Sequence, residues 1–563
     1  MSGWSADARQ VFRWSGRRIA ALLPRRDDLA AMTRTPRRDL VAGLTVGVVA
    51  LPLALAFGIT SGLGAAAGLV TAIVAGIVAA LFGGSHVQVS GPTGAMTVVL
   101  VPIVASYGAD GVLVVGLMAG AILLVMATAG LGRYVRFVPL PVIEGFTLGI
   151  AVIIALQQIP TALGEPADGE KVVAVAADAI TAWAANPAWA APAMAAAVAI
   201  AMLFCSRWRP GIPMSLVAVA TATVLAQVAD LDIARIGALP DGLPSPQLPA
   251  LAWNDLRVLA VPALAVAALA ALESLLSATV ADAMSVSERH DPDRELFGQG
   301  LANLASPLFG GIPATAAIAR TAVNVRSGAR SRLASVIHAG VLLLVVLALG
   351  PLVSEIPLAA LAGVLIATAI RMVEVSSVRA LLRSSRSDAA VLIVTAVATI
   401  ALDLVTAVVL GIAVAGGLAL RQMAKAASLE ETPLPSTGLA GEEQALLDER
   451  IVAYRLEGPL FFGGAHQALL ELTTVSDIRV VILRMSRVAT LDATGAAVLR
   501  DAIAHLEGRG VTVLLSGVPE RHTPVLDALG VYESLAHERH LFAHTPDAIA
   551  HARVHAARVK HQP

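Results

Sequence analysis

The chain has 563 residues, 57% of them hydrophobic and 14% charged, with a net charge of -1 at pH 7. Soluble domains carry about 25% charged residues, so this composition, with a mean hydropathy of +0.76, excludes an ordinary soluble protein. The lack of a basic excess excludes a nucleic-acid binder, and Cys205, the only cysteine, leaves no intrachain disulfide or cysteine metal cluster.

Residues 1–38 form a basic lead-in carrying Arg13, Arg17, Arg18, Arg25, Arg26, Arg34, Arg37 and Arg38. It reads as a cytosolic segment at the membrane surface, without the single apolar run of a cleavable signal. From 39 to 424 apolar runs of spanning length alternate with polar breaks, about fourteen in all. They are 39–60, 63–82, 87–106, 110–131, 138–158, 186–206, 213–229, 258–284, 294–308, 313–327, 332–350, 356–373, 387–401 and 403–423. Cytosolic loops should hold the excess of arginine. With the N-terminus inside, the loops after even-numbered spans hold Arg133 and Arg136, Arg207 and Arg209, Arg326, Arg330 and Arg332, and Arg379, Arg383 and Arg386. The opposite loops carry Glu165, Asp168 and Glu170, then Asp230, Asp232, Asp241 and Asp255. Fourteen spans with both termini in the cytosol satisfy the rule.

Two of the breaks resemble each other. Gly83 to Thr97 is a β-prone stretch ending in Gly91-Pro92-Thr93, after which span three starts. Gly310-Gly311-Ile312-Pro313 precedes the alanine-rich run to Arg326 that opens span ten, with Arg320 about two turns into that helix. Spans three and ten are seven apart, as expected of two inverted seven-helix repeats whose broken helices meet at the bilayer midplane. A helix start carries unpaired N–H groups and about half a positive charge. Two opposed starts with a nearby guanidinium would cradle an anion; the plainer reading is a kinked helix whose arginine reaches water.

Glu273 lies mid-span, with no other charged residue from Val258 to Ala281. Three roles fit it: a proton carrier, a static partner of Arg320, or a cation ligand together with Ser274 and Ser277. Glu144 and Asp403 lie near span ends, where they can reach water.

Residues 425–449, with Pro433, Pro435, Ser436, Gly438 and a run of acids, read as a linker. Beyond it the period changes. Strands at 450–456, 479–483 and 511–516 alternate with helices at 465–474, 494–507 and 521–529, which predicts a small α/β domain over 450–563. Leu491-Asp492-Ala493-Thr494-Gly495 stands where a strand feeds a helix, with Asp492 or Thr494 as cap. His551 and His555 could share a helix face and a metal, but a solvated tail helix is the expectation, and no metal or cofactor is expected. No P-loop, HExxH, nucleophile elbow or glycine-rich nucleotide motif occurs, so nothing favours an enzyme or an ATP-driven pump.

From about Arg38 onward the chain resembles the SulP anion transporters, the sulfate permease and solute-carrier family. The resemblance rests on Leu51 to Gly58, Ser90-Gly91-Pro92-Thr93-Gly94, Glu273, Glu295 to Asn303 and Ile318-Ala319-Arg320-Thr321, in that order. The terminal domain resembles STAS domains, and Asp492 to Gly495 matches the loop whose Ser or Thr is phosphorylated in some of their relatives, here Thr494. The resemblance implies a core domain of spans one to four and eight to eleven that moves as an elevator against a gate domain. It also implies a homodimer, and possible STAS contacts to a cytosolic protein partner. Carried over, Phe57, Thr93, Gly94 and Ala95 line one side of the substrate site, Ala317, Ile318, Ala319 and Arg320 the other, and Glu273 takes the coupling position. Glu273 and Ile318 stand where the sodium-bicarbonate branch has Asp and Thr, and isoleucine cannot ligate sodium. Leu53 stands where many sulfate-type members have Gln. The expectation is a multi-pass inner- or plasma-membrane symporter taking up sulfate or a related inorganic anion with H+. C4-dicarboxylate or bicarbonate symport, a passive anion channel and a STAS-linked sensor stay open as alternatives.

Overall fold

The computed structural model describes residues 21–166, 171–208, 213–240, 242–249, 253–285, 289–402, 404–426, 428–431, 450–460, 478–537 and 540–559. The chain forms two compact units, Met1–Ile412 and Ala413–Pro563. Its first helices are α1 (Arg26–Ala31), α2 (Pro36–Thr60), α3 (Ala65–Phe82), α4 (Gly94–Ala129), α5 (Leu140–Gln157), α6 (Ile159–Leu163), α7 (Val172–Ala185), α8 (Ala190–Trp208) and α9 (Met214–Val228). There follow α10 (Trp253–Met284), α11 (Pro292–Leu308), α12 (Ile318–Arg326), α13 (Leu333–Ser354), α14 (Leu358–Met372), α15 (Val375–Ser384), α16 (Arg386–Ala401) and α17 (Leu404–Ala426). Two dipeptide strands, β1 (Ser90–Gly91) and β2 (Thr315–Ala316), immediately precede α4 and α12.

The protein is a polytopic helical membrane protein: among the described residues, seven helices are long and apolar enough to cross a membrane, and shorter apolar helices accompany them. Each predicted span coincides with a helix. Spans three and four are the halves of α4, parted at Gly108, whose φ of 66° no helix interior accepts. Span ten is the exception in length. Only Ile318–Arg326 is helical, because Thr315 and Ala316 pair antiparallel with Gly91 and Ser90 and so leave the helix that their alanine-rich surroundings favour. Arg320 therefore sits in the first turn of its helix and not two turns into it.

Besides the one-turn helices α1 and α6, two longer helices lie outside the predicted spans. The 14-residue α7 would measure about 21 Å, short of a hydrocarbon core of about 30 Å. The other, α15, buries none of its residues and carries Arg379 and Arg383, the pattern of a helix lying along the membrane surface.

Packing separates the helices into two sets. In one, α11 packs on α3 and α4, α10 on α4 and α12, and α13 on α2 and α3; in the other, α16 packs on α5, and α14 on α5, α8 and α9. Helix α14 also touches α2, which brings the sets into contact.

The lead-in is more than a surface segment. Asp28 of α1 is buried, ion-paired to Arg294 and 3.9 Å from Arg332, which was read as a loop charge but is only 1% exposed. Arg332 donates 2.8 Å to Ala80 O at the C-terminal end of α3, where a cation offsets the helix dipole. Burial alone would raise the Asp28 carboxyl, but the Arg294 hydrogen bond, the Arg25 amide and the two guanidinium charges outweigh it and hold it below 3.8. A carboxyl depressed in the folded state stabilises above the ordinary carboxylate range and loses that contribution as pH falls through its folded pKa. Relative to Asp28→Asn, the native protein is thus expected to be more stable at pH 7 by about 1–3 kcal/mol. The difference should close as pH falls through the depressed folded pKa of Asp28, as read by denaturation midpoints across pH; a pH-independent difference would refute the assignment.

In the second unit a five-stranded sheet has the order β3 (Ser428–Glu431), β4 (Ile451–Leu460), β5 (Val480–Leu491), β6 (Thr512–Ser516), β7 (Leu541–Phe542). β3 is antiparallel to β4, and the other neighbours are parallel. Helices α18 (Ala493–Gly508), α19 (Thr523–Ala528) and α20 (Thr545–Val559) complete this α/β unit. The stretch read as linker thus holds the last two residues of α17 and then strand β3; the rest of it, the predicted helix 465–474 and Asp403 lie outside the described residues. His540, just ahead of β7, is buried, and burial together with the neighbouring His555, His551 and His537 imidazoles holds its pKa down to about 4.

Candidate functional site

The β1–β2 pair brings the two broken segments face to face, Ser90 opposite Ala316 and Gly91 opposite Thr315. Just past each strand a helix starts, α4 among buried residues and α12 with Ile318 and Ala319 exposed ahead of buried Arg320. Thr93 caps α4 through the Met96 amide at 3.3 Å, while Ala317 caps α12 without a side-chain bond. The first amides of each helix, Gly94 and Ala95 on one side and Ile318, Ala319 and Arg320 on the other, have no intrahelical acceptor. Both positive helix ends therefore meet in one place.

Arg320 is 2% exposed. Its Nη2 donates to Pro92 O at 2.5 Å, and its Nη1 has no protein acceptor. A Cβ on Gly91, whose φ is 156°, would lie 2.7 Å from that Nη1, so glycine is what lets the guanidinium lie over the strand. Glu273, partly buried on α10, accepts from the Thr93 hydroxyl at 2.9 Å, which places the carboxylate against the cap of α4. Glu273 and Arg320 make no ion pair within 4.0 Å. Phe57 is buried on α2, and a Cβ on Gly94 would lie 3.2 Å from its Cε1, so the ring packs against the start of α4. Thr93 and Ala95 are buried, Ala317 is half-buried, and Ile318 and Ala319 are exposed. The structure thus gathers Phe57, Thr93, Gly94, Ala95, Glu273 and Ala317 to Arg320 around one junction.

Ser274 and Ser277 bond within the protein. Ser274 Oγ lies 2.9 Å from Thr315 Oγ1 and accepts from the Ala316 amide at 3.3 Å, and Ser277 Oγ donates to Thr321 Oγ1 at 3.1 Å. They fasten α10 to β2 and α12. Glu295, Gln299 and Asn303, four residues apart along α11, brace both breaks. Glu295 accepts from the Gly84 and Ser85 amides, Gln299 donates to Ser90 Oγ at 2.7 Å, and Asn303 bonds both the N–H and the O of Ala314, at 2.9 and 2.8 Å. Non-helical backbone inside a membrane protein must find such partners. Asn303→Ala leaves the two Ala314 groups buried and unpaired, and is expected to lower stability by about 2–4 kcal/mol. Thermal unfolding of the purified protein checks this, and an unchanged midpoint would contradict it.

Sequence reasoning passed over His338, a lone histidine in the apolar run of α13, buried with neither ring nitrogen partnered in the protein. Its isolation among apolar residues was the available signal. Glu144, near a span end, accepts from Ser377 at 2.8 Å. Thr494 is exposed in the first turn of α18, and the cap is Asp492, which accepts from the Gly495 amide at 2.7 Å.

A multi-pass helical bundle with two interrupted helices paired through their strands, followed by an α/β unit, defines a membrane transporter with an appended α/β domain. The profile of the sulfate permease family matches residues 37–395, and that of the STAS domain residues 444–548. YvdB of Bacillus subtilis, named provisionally as a sulfate transporter, is 37% identical over 519 residues, 90% of this chain and 96% of its own length. The bicarbonate transporter BicA of a Synechocystis strain is 33% identical over 516 residues, 89% of this chain and 91% of BicA. Among solved structures, the transmembrane domain of a cyanobacterial BicA matches with a TM-score of 0.63 and 34% identity over 67% of this chain and 98% of that one. SLC26A9 matches with a TM-score of 0.77 and 18% identity over 99% of this chain and 96% of its own, and so shares the fold. The chain belongs to the sulfate permease family of anion transporters, which are not enzymes, and carries a STAS domain.

Proposed function

We propose that this protein is a proton-coupled importer of an inorganic oxyanion, held between the starts of α4 and α12 and moved across the membrane by an elevator displacement of the α2–α4 and α10–α13 set. The observation that carries the reading is Arg320, buried with one Nη lacking an acceptor beside two helix starts whose first amides have no intrahelical acceptor. A buried unpartnered donor costs about 1–3 kcal/mol, which an anionic guest would recover. Phe57, Thr93, Gly94 and Ala95 form one wall of the site, and Ala317, Ile318, Ala319 and Arg320 the other. Glu273 carries the proton, its hydrogen bond to Thr93 tying its charge state to the wall that holds the anion. Proton entry offsets the anion's charge, which otherwise opposes uptake by about 2.3 kcal/mol per 100 mV.

Sulfate is the first substrate to test and bicarbonate the second, the latter because BicA is a relative at 33% identity; succinate represents the dicarboxylates. Ile318 at the site offers no oxygen to a sodium ion, which favours H+ over Na+ as the coupling ion. The excess of arginine in alternate loops supports cytosolic termini in an inner or plasma membrane. The transporter region comprises residues 39–424 and the STAS region 450–563; the assembly is a homodimer, and exposed Thr494 is the phosphoacceptor through which a cytosolic partner would act.

Reconstituted liposomes offered labelled sulfate, bicarbonate and succinate, with and without an acidic exterior, test the proposal. Accumulation of an inorganic anion above its equilibrium level, only under the pH difference, is the expected result. Uptake that stops at equilibrium under every gradient would identify a channel instead.

A further inference from the structure

The last strand and last helix of the STAS unit bring together three histidines that anion transport leaves unused. His551 and His555 stand one turn apart on α20, and His540 leads into β7. One ring nitrogen from each lies within 4.8 Å of the other two. The ring centroids of His540 are 5.6 Å from His551 and 5.2 Å from His555, and the two helix histidines are 4.9 Å apart. His540 is 3% exposed, and its buried Nδ1 has no partner in the protein. A buried imidazole nitrogen without an acceptor or donor is costly, and two further imidazoles beside it form a nitrogen-rich corner that packing alone does not explain.

We infer that His540, His551 and His555 form a binding site for Zn2+ or a similar borderline transition-metal ion, which clips α20 to the end of the sheet. Tetrahedral ligands at about 2.0–2.1 Å stand about 3.4 Å from one another. Side-chain rotation of the two half-buried helix histidines closes the present spacing. An all-imidazole set without carboxylate or thiolate suits Zn2+, Cu2+, Ni2+ or Co2+ and discriminates against Mg2+ and Ca2+. Three protein ligands leave a fourth position for water or an exogenous donor. The third ligand of the proposed site comes from a different element than the other two. His540 lies eleven residues before His551, outside any helical or finger-type spacing.

The test is titration of the full-length, tag-free protein with Zn2+ by calorimetry, with Co2+ absorption reporting coordination geometry. One Zn2+ per chain is expected. A His551→Ala/His555→Ala double variant should bind about 100-fold or more weakly, given that even outer-shell changes cost about 10–100-fold. His544→Ala, outside the trio, should leave binding unchanged. Mapping of histidine modification by diethylpyrocarbonate in the native protein adds a readout that requires no variant: Zn2+ should protect His551 and His555 but not His544. Absence of stoichiometric binding, binding undiminished in the double variant, or equal protection of all three would overturn the site.

Discussion

A Glu273→Gln protein is expected to bind its anion yet fail to concentrate it. In native liposomes with the membrane potential clamped, each coupled proton supplies about 1.4 kcal/mol per pH unit, and so up to about tenfold accumulation for a pH difference of one. The glutamine variant should equilibrate at a ratio of about one under the same gradient. Gln keeps the size of the side chain and an oxygen to accept from the Thr93 hydroxyl, so the cap of α4 and the start of that helix stay in place. Only the capacity to gain and lose a proton is removed. Exchange of labelled for unlabelled anion, which needs no net proton movement, should persist in the variant and separates lost coupling from a damaged site. Undiminished, gradient-driven accumulation by Glu273→Gln would remove the proton role and leave Glu273 as a static counter-charge.

Arg320→Ala has the second large expected effect. The guanidinium joins the two broken segments through Pro92 O and offers its other nitrogen to the solute. Charge-assisted hydrogen bonds contribute about 1.5–3 kcal/mol each, so loss of the guanidinium should weaken anion binding by about 10- to 150-fold. Arg320→Lys keeps the positive charge but replaces a planar fork by a point donor, which cannot hold Pro92 O and the solute in the same geometry. It should therefore recover part of the affinity and little of the transport. Equilibrium binding to protein whose monodispersity and thermal midpoint match the native values checks both variants. Unaltered affinity in Arg320→Ala would show that helix-start amides suffice without the charge.

The parts of this arrangement visible in the sequence were those set by solvation. Apolar runs define the helices because unpaired backbone cannot face lipid. Gly91-Pro92 and Gly310-Gly311-Ile312-Pro313 mark the two interruptions because they cannot continue a helix. Glu273 and Arg320 stand out because charge at membrane depth is costly. What stayed hidden depended on tertiary hydrogen bonds. Thr315 and Ala316 lie in a run with strong helix propensity, and only their pairing with β1 and the Ser274 bonds draw them into a strand. This moved the start of α12 by about a turn and brought Arg320 to the helix end, where its charge adds to that of the amides. Glu295, Gln299 and Asn303 were legible as a recurring string of residues, but their task of satisfying the broken backbone from one face of α11 became visible only once α3, α4 and β2 were packed against it. Helix α7 was missed because it is too short for the length criterion that found the others. Arg332 does stand in the turn ahead of α13, but its burial was hidden because its partners, Asp28 and Ala80 O, come from α1 and α3.

The most direct test of the central claim is an experimental structure of the protein saturated with the anion that the liposome assay selects. The account predicts density for that anion between the amides of Gly94 and Ala95 and those of Ile318 to Arg320, with Arg320 Nη1 donating to it and Glu273 beside Thr93. Anion density elsewhere, or an Arg320 side chain turned away from an occupied site, would contradict it.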